Sequence, residues 1–108
     1  MAPLTRMRAT NPERAPTALH AEYYAQRATA GLILSEGTFV SPASVGWARV
    51  PGLWSAAQVA GWRLVTEAVH RAGGRIFAQI MHGGRVSHPE TTGLQPRPAC
   101  RYPHHRAI

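Results

Sequence analysis

The sequence predicts an α/β fold of three parallel strands and two helices in the order β-α-β-α-β, and three observations carry that expectation. Short apolar runs at Met1–Leu4, Leu32–Leu34 and Arg75–Met81 alternate with helix-forming stretches at 17–30 and 56–72, which is the rhythm of parallel βα units. Each run gives way to polar residues: Thr5-Arg6, then Ser35-Glu36-Gly37-Thr38, then Gln79 through Arg85. Ligands in such folds bind at the carboxyl ends of the strands, so polar residues placed there repeatedly point to a site rather than a core. Glycines stand where helices should stop, at Gly31 and at Gly73-Gly74.

Taken in order, Pro3 to Arg6 finishes a first strand that is too short to stand alone, so its start reads as truncated. Asn11 to Pro16 is a loop with two prolines, after which Thr17 caps a helix running to about Ala30. Leu32-Ile33-Leu34 is continuously apolar, as in a strand covered on both faces, and is expected to end at Ser35. From Phe39 to Leu53 no period is visible, and prolines at 42 and 51 with glycines at 46 and 52 predict a long connection lying over the surface. Ser55-Ala56-Ala57-Gln58 matches a capping box, and Val59, Trp62, Val65 and Val69 then form one apolar stripe of a second helix. Arg75 to Met81 reads as the third strand. Past Pro89 the texture changes, with Pro96, Pro98 and Pro103 among Arg and His, and little regular structure is expected.

Composition narrows the class. At 108 residues the chain is shorter than the roughly 250 of a closed eight-stranded β/α barrel, while 44% hydrophobic residues exclude a wholly disordered chain. Every basic residue is Arg and every acidic one Glu, for a net charge of +7. Three of the arginines (97, 101 and 106) follow Gly93, and without them the charge is +4. The others are scattered, whereas nucleic-acid binding asks for Arg and aromatic residues gathered along one face. A basic fragment that adheres to nucleic acid without specificity, or a remnant with no catalysis, is the alternative function. The single Cys100 allows no internal disulfide, the start lacks the layout of a secretory signal, and no apolar run approaches the roughly 18 residues of a membrane span. A cytoplasmic protein is expected. His82, His88, His104 and His105 lack the spacing of a zinc site, and no metal is expected. Adjacent on a helix, Tyr23 and Tyr24 point apart, which favours packing for at least one.

Five ordered stretches carry a family resemblance: Met1 to Ala9, Ala21-Glu22-Tyr23-Tyr24-Ala25-Gln26-Arg27-Ala28, Ile33 to Thr38, Gln58 to Arg63, and Gly74 to Gln79 continuing through Arg85-Val86-Ser87-His88-Pro89. Together they resemble the Old Yellow Enzyme family of flavin-dependent oxidoreductases over residues 1–95. The resemblance implies the first part of an FMN-binding (β/α)8 TIM barrel, in which NADH or NADPH reduces the flavin and hydride then passes to an activated alkene or similar electron-poor small molecule. It implies that the backbone at Pro3 and Leu4 lies against the flavin, that the Thr5 hydroxyl bonds its reactive edge, that the Gly37 backbone touches it, and that the Gln79 amide pairs with its pyrimidine edge. An amide suits that edge because it offers a donor and an acceptor.

The residues that grip substrate in the family, a His/Asn or His/His pair, and the Tyr that donates the proton belong further along than Gly93, so no catalytic residue is assigned. Members with Thr at the Thr5 position commonly carry Trp where this chain has Met81. Residues 96–108 also depart from the family's usual continuation and read as a frame-shifted tail.

Overall fold

The computed structural model describes residues 1–94. Its frame is a parallel pair of strands, β1 (Ile33–Phe39) and β2 (Ile76–Met81), with helices α1 (Ala18–Ala25) and α2 (Ala56–Arg71) and a short α3 (Pro89–Thr92). Ile33 and Ile76 stand opposite each other in the ladder and turn toward both helices, where Ala21, Tyr24, Trp62, Val65 and Val69 complete the main core. The expected tail at 96–108 lies outside the described residues. Among the described residues, no helix is long and apolar enough to cross a membrane.

Helix α2 forms as its sequence signals. The Ser55 side chain accepts from the Gln58 N–H at 3.3 Å, while the Gln58 carboxamide accepts from the Ser55 N–H at 3.1 Å, so the first orphan donors of the helix are satisfied. The apolar stripe is corrected at one position. Val59 is exposed and Gln58 is buried in its place, because the Gln58 amide also accepts from Trp54 N–H at 2.7 Å and donates to Glu13 C=O at 2.8 Å. Helix α1 is shorter than expected, ending at Ala25, with a separate 3-10 turn at Ala28–Ala30. Gly31, at φ 73°, then reverses the chain into β1.

The first strand is a second correction: residues 1–10 hold no strand. Only Met1 pairs beside β1, donating to Leu32 C=O at 2.5 Å and accepting from Leu34 N–H at 3.1 Å. Pro3 has no N–H to continue a ladder, the Arg6 N–H is bound by the Glu36 carboxylate instead, and Met7 turns the chain at φ 55°. The sheet therefore has two strands among the described residues, not three. Strand β1, in turn, runs past Ser35 to Phe39.

The connection after β1 is not the plain surface loop its lack of period suggested. Phe39, Val45 and Val50 are buried in a second small core, flanked by Trp54 and Met81, and Phe39 bridges to Gly52. Where this loop meets the one following β2, Gly83 N–H donates to Ser44 C=O at 2.6 Å. A Cβ on Gly83 would stand 2.6 Å from the Gly46 Cα, so the two backbones touch there with no room for a side chain.

Candidate functional site

The register between β1 and β2 breaks near the carboxyl end. Leu34 faces Phe77, yet Gly37 faces Gln79, so Ser35 and Glu36 together oppose Ala78 as a bulge. The Ser35 hydroxyl fills the gap, accepting from Gln79 N–H at 3.1 Å and donating to Glu36 C=O at 2.8 Å. Thr38 Oγ1 donates to the same carbonyl at 2.9 Å. A bulge of this kind redirects side chains at the rim where parallel α/β folds bind ligands.

Glu36 is the most consequential residue of that rim. Its side chain is only 1% exposed, and a buried carboxylate must be compensated by donors. Oε2 accepts from Arg6 N–H at 3.1 Å, and Oε1 accepts from Tyr24 O–H at 3.3 Å. The Tyr24 oxygen in turn accepts from Glu36 N–H at 2.8 Å, so the two residues hold each other reciprocally. Burial still raises the Glu36 carboxyl above its ordinary range, against the pull of the Arg6 backbone and the Tyr24 hydroxyl. Burial likewise pushes the Tyr24 phenol upward, which keeps it neutral as a donor. Tyr24 is thus a packed structural partner, while its neighbour Tyr23 carries the guanidinium groups of Arg6 and Arg27, 4.9 and 3.7 Å from its ring centroid.

Of the five residues implied as cofactor contacts, two are brought together. Gly37 and Gln79 are ladder partners, and a Cβ on Gly37 would lie 3.7 Å from Gln79 Oε1 and 2.5 Å from the Met81 sulfur. The glycine therefore lets the Met81 thioether and the Gln79 amide crowd over one strand end. The half-buried Gln79 donates its backbone N–H to Ser35, and no hydrogen bond of its carboxamide occurs among the described residues. Pro3, Leu4 and Thr5 precede Arg6, whose N–H is bonded to Glu36, and Leu4 is 58% exposed. No hydrogen bond joins Thr5 to Gly37 or Gln79 among the described residues. A cavity of about 100 Å³ beside Glu36 is lined by Arg6, Arg8, Leu19, His20, Tyr23 and Glu36, none of them among the five.

The histidines near the rim serve the backbone. His82 Nδ1 accepts from Gly84 N–H at 2.9 Å, and His88 Nδ1 accepts from Glu90 N–H at 3.3 Å as the cap of α3. Sequence reasoning placed Ser35 and Glu36 in a stretch that points to a site but gave neither a role. The available signal was an acid in the middle of a strand otherwise shielded from water, since such an acid needs fixed partners.

The sequence pattern of the NADH:flavin oxidoreductase / NADH oxidase family matches residues 1–103. The chain belongs to this family. Among family relatives it is 49% identical to 12-oxophytodienoate reductase 7 of Oryza sativa subsp. japonica, over 82% of this chain and 22% of that protein. It is 47% identical to flavin oxidoreductase hxnT of Emericella nidulans, over 85% of this chain and 25% of that protein. Among solved structures, the Old Yellow Enzyme homologue of Zymomonas mobilis superposes with a TM-score of 0.85 at 54% identity, covering 89% of this chain and 27% of that one. Morphinone reductase superposes with a TM-score of 0.84 at 53% identity, over 89% and 26%. The chain spans about a quarter of the length of the relatives it matches.

Proposed function

We propose that this chain forms the amino-terminal part of an FMN-dependent NAD(P)H oxidoreductase acting on activated alkenes or similar electron-poor small molecules. The observation that carries the reading is the pairing of Gly37 with Gln79 at the carboxyl ends of two parallel strands, with the Gln79 amide left free. Its NH2 donors and C=O acceptor match the alternating C=O and N–H groups of the flavin pyrimidine edge, so Gln79 fits the cofactor. FMN, when bound, supplies the hydride relay between the nicotinamide and the acceptor.

The chain's own residues bind and orient. Gln79 would fix the pyrimidine edge, the Gly37 backbone would meet the cofactor once the Met81 thioether that covers it swings aside, Pro3 and Leu4 would supply an apolar backbone wall, and the Thr5 hydroxyl would donate toward the reactive edge. A donor at that edge favours the more negative, reduced state. In the complete barrel of eight strands Pro3–Arg6 would be the first, with β1 and β2 as the next two.

FMN titrated into the purified chain tests this reading through quenching of flavin fluorescence. Saturable quenching is expected, weakened about tenfold or more in a Thr5→Ala/Gln79→Ala variant, because two hydrogen bonds of about 1 kcal/mol each are removed. Quenching that is absent, or equal in both proteins, overturns the assignment of these residues.

A further inference from the structure

We propose that Glu36 is a positioning residue for the cofactor site: its carboxylate pins the Thr5–Arg6 peptide to the strand that carries Gly37. The purpose assigned to Thr5 rests on the function proposed above, whereas the clamp itself stands on geometry alone.

Thr5 and Gly37 belong to segments about 30 residues apart in sequence; backbone bonds tie the amino-terminal segment to the start of β1 at Met1, but no ladder continues through residues 3–6. One side chain carries the link on to Thr5–Arg6. Glu36 immediately precedes Gly37 in β1, and its Oε2 accepts from Arg6 N–H at 3.1 Å. The Thr5 carbonyl and the Arg6 N–H share one planar peptide unit, so holding that N–H fixes the plane on which Thr5 hangs. The other carboxylate oxygen is held by Tyr24 O–H at 3.3 Å, and the Glu36 backbone donates to the same phenol at 2.8 Å. Tyr24 itself sits in the main core between the helices and Ile33.

The clamp is therefore anchored to the most deeply packed part of the molecule. A charged acceptor suits the task because charge-assisted hydrogen bonds to a carboxylate are stronger than neutral ones. A neutral carboxamide has a single acceptor oxygen for two donors, and its NH2 would face one of them.

The test is amide hydrogen exchange on the purified chain, with Glu36→Gln and Glu36→Asp as variants, the second keeping the charge but losing reach. Arg6 exchange is expected to speed up about tenfold or more in both, while Gly74 and Ala72, which donate to Val69 and Ala68 C=O at the end of α2, keep their rates. Unchanged protection at Arg6 overturns the proposal, and so does a uniform loss at all amides, which marks Glu36 as a purely structural residue.

FMN affinity supplies a second readout in a double-mutant cycle. Glu36→Gln should weaken binding in the parent chain and have no further effect in a Thr5→Ala background, since a residue acting through Thr5 has nothing left to position. Equal effects in both backgrounds overturn the link to Thr5. If the parent chain binds no FMN, the functional reading falls and the exchange experiment still decides the clamp.

Discussion

At 1% exposure Glu36 has surrendered nearly all of its hydration, and the direction of its proton affinity has a consequence for stability. Folding raises its affinity above the ordinary value of 4.5. As pH climbs from there through the raised folded value, the unfolded chain ionises more readily than the folded one, and stability falls. Buried His20 works the opposite way. Burial lowers its affinity below 6.5, so its contribution grows as pH rises toward that value and is lost on acidification. Its Nδ1 already accepts from Thr17 N–H at 3.0 Å, which fixes the neutral form. The two slopes offset each other in the parent chain. With Glu36→Gln the opposing slope is gone, so the thermal midpoint should rise more steeply between pH 4.5 and 6.5 than in the parent. Parallel melting curves across that range would contradict the assignment.

Among the elements, α2 sets helix propensity directly against packing at Gly61. Replacing a helical glycine by alanine ordinarily stabilises by about 1 kcal/mol. Here a Cβ would collide with the Pro16 carbonyl oxygen and stand 2.9 Å from its ring. Because the obstacle is backbone, Gly61→Ala should lose about 1–3 kcal/mol in chemical denaturation, and a gain would show that the Pro16 loop yields easily. Gln58→Leu belongs to the same helix. It suits an apolar stripe but strands the Trp54 and Ser55 N–H groups and the Glu13 carbonyl, so a loss of about 2–3 kcal/mol is expected by the same measurement. These two residues also show what the sequence could reveal. The capping box and the glycines after α2 were legible because they act within a few residues of themselves, whereas Gly37 and Gln79 were implied by the family resemblance alone and their pairing belongs to the register of the ladder. The inward turn of Gln58 was not legible, since its partner Glu13 is remote in sequence. Nor was the absence of a first strand, which depends on a side chain 30 positions away capturing the Arg6 N–H. Val45 and Val50 lay hidden in a stretch without period because loop cores follow no period at all.

For the molecule as a whole, the sheet is the open question of surface chemistry. Among the described residues the two strands leave unpaired edges, and β2 turns outward Phe77, at 62% exposure, and Ile80. Apolar strands with free edges recruit further strands. The isolated chain should therefore self-associate as concentration rises, and Phe77→Ser should reduce that association in sedimentation velocity without lowering the thermal midpoint, because the side chain has little packing to lose. An unchanged association would place the contact elsewhere. The touching glycines 46 and 83 set a different limit. Where two backbones meet without side chains, neither loop can acquire a new residue type at the crossing without displacing the other. The rims that follow β1 and β2 are thus obliged to evolve as a pair at that point, and independent variation is left to the stretches on either side of it.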